Sequence, residues 1–157
     1  MHLLISKILV AFDGSETSQR ALEFGLDLAE KYCATLTILN VLQVPVYVVP
    51  EDPYAMSPDP QAVSPYVVGL GKYLRKSHEK ILANAAEKAA ALKPNLHVTT
   101  ELREGNPPAQ IIETAVKGKY DLVIVGHGND SRLREMLLGG TSERVAHWSK
   151  CAVLIVK

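Results

Sequence analysis

The sequence predicts an α/β fold: one domain over residues 1–157, built on a doubly wound parallel sheet of five strands. Five short apolar runs rich in β-branched residues alternate with helical patterns, as successive βαβ units require. The fourth run, "YDLVIVG", is apolar almost throughout, as befits a strand covered on both faces. A chain of 157 residues, 47% of them apolar, can enclose a core without disulfide or metal support.

The first strand is "KILVAF", Lys7 to Phe12, stopped by the turn signal "DGS". From Thr17 onward Ala21, Leu22, Phe24, Gly25, Leu28 and Ala29 recur at helical spacing, opposite Glu16, Gln19, Arg20, Glu23, Asp27 and Glu30. Ser15, Thr17 and Ser18 stand where that helix needs its cap. "ATLTILNV", Ala34 to Val41, fits the pleated surface of a second strand. Leu42 to Pro65 holds six prolines and no periodicity, and reads as a long surface loop inserted in the domain.

Leu70, Leu74, Ser77, Ile81, Leu82, Ala85, Ala89 and Leu92 trace the stripe of a long helix closed by "KPN". "LHVTTELREG" alternates as a half-buried strand does. Asn106 as N-cap, with Pro107 and Pro108 in the first turn, opens a helix through Ile111, Ile112, Ala115 and Val116. Beyond the fourth strand, Thr141 or Ser142 caps a last helix reaching about Trp148, a residue expected in core or interface, and "CAVLIVK" is the fifth strand.

Seventeen basic and seventeen acidic residues cancel, so no overall field draws the chain to nucleic acid or to a membrane surface. The N-terminal residues lack a basic leader region, and no run approaches the ~20 apolar residues of a membrane span. A cytoplasmic protein is the default expectation. Cys33 and Cys151 form neither a CxxC nor a metal-type spacing and are expected as buried free thiols. His78, His97 and His147 share no ligand spacing with Cys or carboxylates, so no metal site is expected. With no supported Ser/His/Asp arrangement, no catalytic residue is assigned and the chain is not expected to be an enzyme.

In open parallel sheets ligands bind beyond the carboxyl ends of the strands, where the strand order reverses. Two segments suit that place: "AFDGS", with the carboxylate of Asp13, and the stretch from Gly126 to Ser142. Glycine-rich turns and a helix N-terminus can direct N–H groups at an anion, which Gly139, Gly140, Thr141 and Ser142 would do at the start of the last helix. The other reading stays open: Gly126 and Gly128 make a tight turn, and Gly139 ends a helical turn formed by Leu133 to Leu138. The P-loop pattern is absent, and G-x-G-x-x-G fails because Ser131 stands at the third glycine after Gly126 and Gly128.

Taken in order, "KILVAFDGSETSQRALEFGLDLA" and "DLVIVGHG…LLGGTSERVAHWSKCAVLIVK" resemble the universal stress protein family. The resemblance implies an adenine nucleotide alpha hydrolase-like fold with strand order 3-2-1-4-5, homodimers, and a branch that binds ATP through G-x-x-G-x9-G-[ST]. Gly126 matches the first glycine of that pattern, Gly139 the third, and Ser142 a serine that contacts phosphate. Asp13 matches the aspartate that meets adenosine and Val41 a residue whose backbone contacts adenine, with Ala11 and Phe12 beside it on the first strand. His127 and Gly128 belong to the first turn of the motif; Gly140 and Thr141 belong to the second.

Two positions depart from the pattern. Asn129 replaces the second glycine, a change that a residue tolerant of left-handed φ accommodates. Gly140 stands where Ser or Thr is expected and so lacks a hydroxyl donor, although Thr141 follows. The resemblance thus implies a stress-response or signalling protein binding ATP, with Mg2+ held mainly by the phosphates, and dimerising through Ala152 to Val156. The rival is a nucleotide-free dimeric interaction protein of the same fold. An ATP-dependent transferase ranks last, because only Leu42 to Pro65 could supply its substrate segment. Arg132 is left open as a phosphate contact, and Glu135 is read as part of a solvated face.

Overall fold

The computed structural model describes residues 4–43, 65–128 and 140–157, with the backbone alone for 65–67. Nine elements follow one another: β1 (Lys7–Ala11), α1 (Glu16–Tyr32), β2 (Thr35–Leu42), α2 (Pro65–Leu92), β3 (Val98–Glu104), α3 (Pro107–Gly118), β4 (Leu122–Gly126), α4 (Thr141–Trp148) and β5 (Ala152–Val156). The strands form one parallel sheet in the order β3-β2-β1-β4-β5, as expected. The chain therefore grows outward from β1 in one direction, then returns and grows in the other. Between β1 and β4 lies the reversal at which such sheets bind ligands.

Strand alternation divides the core in two. On one face Ile8, Val10, Leu36, Ile38 and Ile124 pack with Ala21, Leu22, Leu26 and Ala29 of α1 and Leu82, Ala85 and Ala89 of α2. On the other, Leu9, Leu39, Val123 and Val125 pack with Ile111 and Ala115 of α3 and Val145 of α4. Gly25 brings α1 close to the sheet: a Cβ there would lie 2.7 Å from Val10 Cγ2.

Several helix ends follow the sequence reading. Ser15 caps α1 by accepting from the Ser18 N–H, and Asn106 caps α3 by accepting from the Ala109 N–H. α4 differs: its N-cap is Gly140, without a side-chain cap, so Thr141 and Ser142 are its first two residues. Leu42 ends β2 and Pro65 opens α2; the proline-rich stretch between them, residues 44–64, lies outside the described residues.

Expectations of burial fail at several positions, each for a positional reason, and for Trp148 the core half of its core-or-interface reading fails. Cys33 is exposed because it is the left-handed C-cap of α1, with φ 53°, and its N–H closes on the carbonyls of Ala29 and Glu30. Cys151 is only partly buried, at the entry to the edge strand β5. Phe24 lies off the sector formed by Ala21, Leu22, Gly25 and Leu26 and is 55% exposed. Trp148 is not in the core: it is 67% exposed and packs edge-on against the His147 ring. On α2, Ser77 is exposed and the neighbouring His78 turns inward instead.

At the amino ends of the central strands, Asp121 ties β4 to β1. One carboxylate oxygen accepts from the Ser6 N–H and hydroxyl at 2.8 Å each and from the Lys7 N–H at 2.9 Å. The Lys7 ammonium donates to the Gly118 carbonyl at 2.6 Å and lies 4.9 Å from the centre of the Tyr120 ring. Donation from Ser6, backbone first, holds the Asp121 carboxyl below its ordinary value. A carboxyl whose folded value is depressed contributes stability above its unfolded value of about 3.9, and that stability is lost as pH falls through the folded value. Asp121→Asn is therefore expected to be less stable than the parent at neutral pH, with the difference closing between about pH 5 and pH 2. Urea unfolding midpoints across that range test this, and a difference independent of pH would refute it.

Candidate functional site

The carboxyl ends of β1 and β4 carry the residues singled out in the sequence. β1 pairs with β4 through Ile8 with Leu122 and Val10 with Ile124, a register that sets Phe12 level with Gly126 when extended. Beyond Phe12 the chain turns at Asp13, whose Oδ1 accepts from the Ser15 N–H at 2.9 Å, and at Gly14, with φ 85°. This Asx turn leads directly into the Ser15 cap. Its shape is therefore encoded locally.

Desolvation is the largest influence on the Asp13 carboxyl and pushes it up, but donors from Ser15 and Ser18 together outweigh it. The carboxyl lies below its ordinary value and is ionised at neutral pH. A fixed carboxylate at this end of the crevice attracts hydroxyl or amino donors and repels phosphate.

Gly126 ends β4 directly beneath the first turn of α1. A Cβ there would lie 2.8 Å from the Thr17 carbonyl carbon, 2.8 Å from Thr17 Oγ1 and 2.9 Å from the Ser18 nitrogen. The close approach that requires this glycine is thus made by the protein's own helix. The next residue, His127, donates its N–H to the Val156 carbonyl at 2.7 Å, and Gly128 adopts φ 76° with no atom near its missing Cβ. His127 and Gly128 are both exposed.

α4 starts against this turn. Ser142 is 3% exposed and its hydroxyl donates to the His127 carbonyl at 3.3 Å, which joins the two glycine-bearing segments. Gly140 is partly buried, has open space where a Cβ would go, and supplies no side-chain acceptor to the N–H groups of the first turn. Those N–H groups and the positive end of the helix dipole make a place for negative charge.

Ala11 and Val41 lie together on the α3/α4 face, partly buried at the rim of its core. Phe12 does not join them: its side chain is buried among the α1/α2 core residues, so only its backbone faces the crest. Asn129 and Gly139, with Arg132 and Glu135, lie outside the described residues.

One polar pair at this end escaped the sequence reading. Asn40, 1% exposed, donates from Nδ2 to the Phe12 carbonyl at 2.7 Å and meets His78 Nδ1 through Oδ1 at 2.5 Å. An asparagine inside "TILNVL" was the available signal, because a buried amide needs partners.

Two concavities lie elsewhere. A cleft of about 590 Å³ beside β3 is lined by Arg75, Arg103, Glu104, Glu113 and Lys117, whose charges pair with one another or with Glu101. Another of about 210 Å³ lies near Tyr120 and Cys151, at the amino ends of β4 and β5. Neither includes a residue of the crest between β1 and β4.

The sequence model of the Universal stress protein family matches residues 5–157. The chain belongs to the universal stress protein family. It is 32% identical over 154 residues to Universal stress protein YxiE of Bacillus subtilis, covering 98% of this chain and 100% of that protein. Among solved universal stress proteins, UspA from Lactobacillus plantarum superposes with a TM-score of 0.73 at 20% identity, covering 98% of each chain. A universal stress protein solved in complex with cAMP gives 0.67 at 25% identity, covering 97% of this chain and 96% of that one. One from Archaeoglobus fulgidus in complex with dAMP gives 0.59 at 14% identity, covering 99% and 100%. These likenesses agree with the fold and sheet order described above. Among the described residues, no helix is long and apolar enough to cross a membrane.

Proposed function

We propose that this universal stress protein is a cytoplasmic binding module for an adenine nucleotide, ATP with Mg2+ in the first instance, and serves stress response or signalling without catalysis. The observation that carries the reading is the polarity of the crest between β1 and β4. An ionised Asp13 stands on the β1 side, and the uncapped start of α4 is tied through Ser142 to the turn after β4. A nucleoside phosphate has matching ends: hydroxyl and amino donors for the carboxylate, and anionic oxygens for the helix N-terminus. Ala11 and Val41 offer an apolar rim for the base; Gly126 to Asn129 and Gly139 to Ser142 are assigned to the phosphates. The complexes of related proteins with cAMP and dAMP support an adenine ligand.

The protein is further proposed to act as a homodimer through β5. Among the described residues that strand pairs with β4 alone, leaving its outer edge open beside partly buried Val153, Leu154 and Ile155.

Titration of the purified protein with Mg-ATP, cAMP, AMP and GTP, followed by calorimetry, tests the ligand. The control variant is Gly140→Glu, which fits the open space at that position and sets a carboxylate against the phosphate end. Micromolar binding of an adenine nucleotide, weakened roughly tenfold or more in the variant, is the expected result. Absence of binding by every nucleotide would refute the assignment.

That outcome would favour the nucleotide-free interaction protein, for which two observations speak. Gly126 is already required by α1, and the Ser142 hydroxyl is already engaged by His127.

A further inference from the structure

Asp13 is flanked by contacts from β2 and from α2, the helix that packs on the sheet face away from Ala11 and Val41. The residue before it is held at both of its backbone polar groups: the Phe12 N–H donates to the Leu39 carbonyl at 2.8 Å, and the Phe12 carbonyl accepts from Asn40 Nδ2 at 2.7 Å. The residue after it, Gly14, lies under α2, where a Cβ would be 3.6 Å from Ile81 Cγ2. Because Asn40 Nδ2 is committed to a carbonyl, its Oδ1 is the acceptor and His78 Nδ1 carries the proton. One buried amide thus links α2 to the peptide just beyond β1.

We propose that Asn40 and His78 are positioning residues of the nucleotide site, a deepening of the function proposed above. The Phe12 carbonyl and the Asp13 N–H belong to one rigid peptide plane. Holding that carbonyl fixes the direction in which Asp13 leaves the sheet, and with it the aim of the carboxylate. His78 holds the Asn40 amide against rotation. Neither side chain belongs to the α3/α4 face on which Ala11 and Val41 lie, so both act through the backbone of β1. Nucleotide bound at Asp13 and the placement of α2 are consequently coupled.

Two variants separate this role from simple packing. His78→Phe keeps a ring and removes the donor; His78→Asn keeps an N–H donor at the place of Nδ1. Calorimetric affinity for Mg-ATP and AMP is measured, together with amide hydrogen exchange in the nucleotide-free protein at Phe12 and Ser15, with α3 as the internal reference. His78→Phe is expected to weaken binding about three- to tenfold, the worth of one ordinary hydrogen bond, and to speed exchange at both amides but not in α3. His78→Asn restores both.

Unchanged affinity and exchange in His78→Phe would overturn the proposal, as would a loss that His78→Asn does not restore. Should the parent bind no nucleotide, the proposed function falls, and exchange at Phe12 and Ser15 still decides whether His78 fixes this loop.

Discussion

Gly126→Ala is expected to lower stability by roughly 2–3 kcal/mol, a large cost for one methyl group. The added carbon would meet the Thr17 carbonyl carbon and the Ser18 nitrogen at 2.8 and 2.9 Å, and both are backbone atoms of α1. A side chain in that place could rotate away, but helix backbone moves only if α1 shifts as a body. Thr17 and Ser18 are buried and belong to the capped first turn, so such a shift disturbs the Ser15 cap as well. Gly25→Ala provides the contrast. Its Cβ would approach Val10 Cγ2 and Leu36 Cδ1 at 2.7 and 3.1 Å, which are side-chain ends, and alanine favours the helix by about 1 kcal/mol. Urea unfolding should therefore show a larger loss for Gly126→Ala than for Gly25→Ala. Equal losses would mean that the strand end yields and that the helix does not enforce this glycine.

Asn40→Leu is expected to cost roughly 1–3 kcal/mol although leucine has a similar size and strands tolerate it well. The amide donates to the Phe12 carbonyl, and leucine would remove that donor from a buried carbonyl. His78 is partly exposed and can turn its N–H to water, so its share of the loss is small. Adding His78→Leu to Asn40→Leu should consequently recover little stability, because the stranded group lies on β1. Full recovery in the double variant would show instead that the histidine was the group left without a partner.

Every strand was legible in the sequence, because parallel strands buried on both faces must be apolar runs, and "KILVAF", "TLTILNVL" and "LVIVG" have no other economical reading. The reversal between β1 and β4 came from the resemblance, since strand order depends on pairing partners that periodicity does not encode. Helix ends were legible where the cap chemistry is local, at Ser15 and Asn106, and misread at α4, where hydroxyls at Thr141 and Ser142 suggested a cap that the turn places on Gly140. Cys33 shows the limit of residue-type averages. Cysteine is commonly buried, but the C-cap of an amphipathic helix faces solvent whichever residue occupies it.

The candidate site was legible as a set of segments and not as a geometry. Asp13 follows the end of β1, Gly126 ends β4 and Ser142 is tied to the turn after it, yet Phe12 turns its ring to the far core, and Gly126 answers to a helix that the sequence could not be seen to place above it. Asn40 and His78 were missed because they are 38 positions apart and neither sits in a recognisable motif.

The reversal of strand order also shapes how the crest comes into being. Contacts on the β2 side are comparatively local: Asn40 reaches Phe12 across 28 positions, whereas Ser6 reaches Asp121 across 115. Closing so long a loop costs more entropy than the shorter closures on the β2 side, so the half of the sheet around β1, β2 and β3 is expected to gather first and β4 to dock late. The crevice between β1 and β4 exists only after that docking. A ligand seated there holds together the two halves that join last, and it acts on the rate at which the finished protein comes apart rather than on the rate at which it assembles. Occupancy by the ligand proposed above would then report on the intact fold, and its loss would be the first consequence of β4 leaving β1.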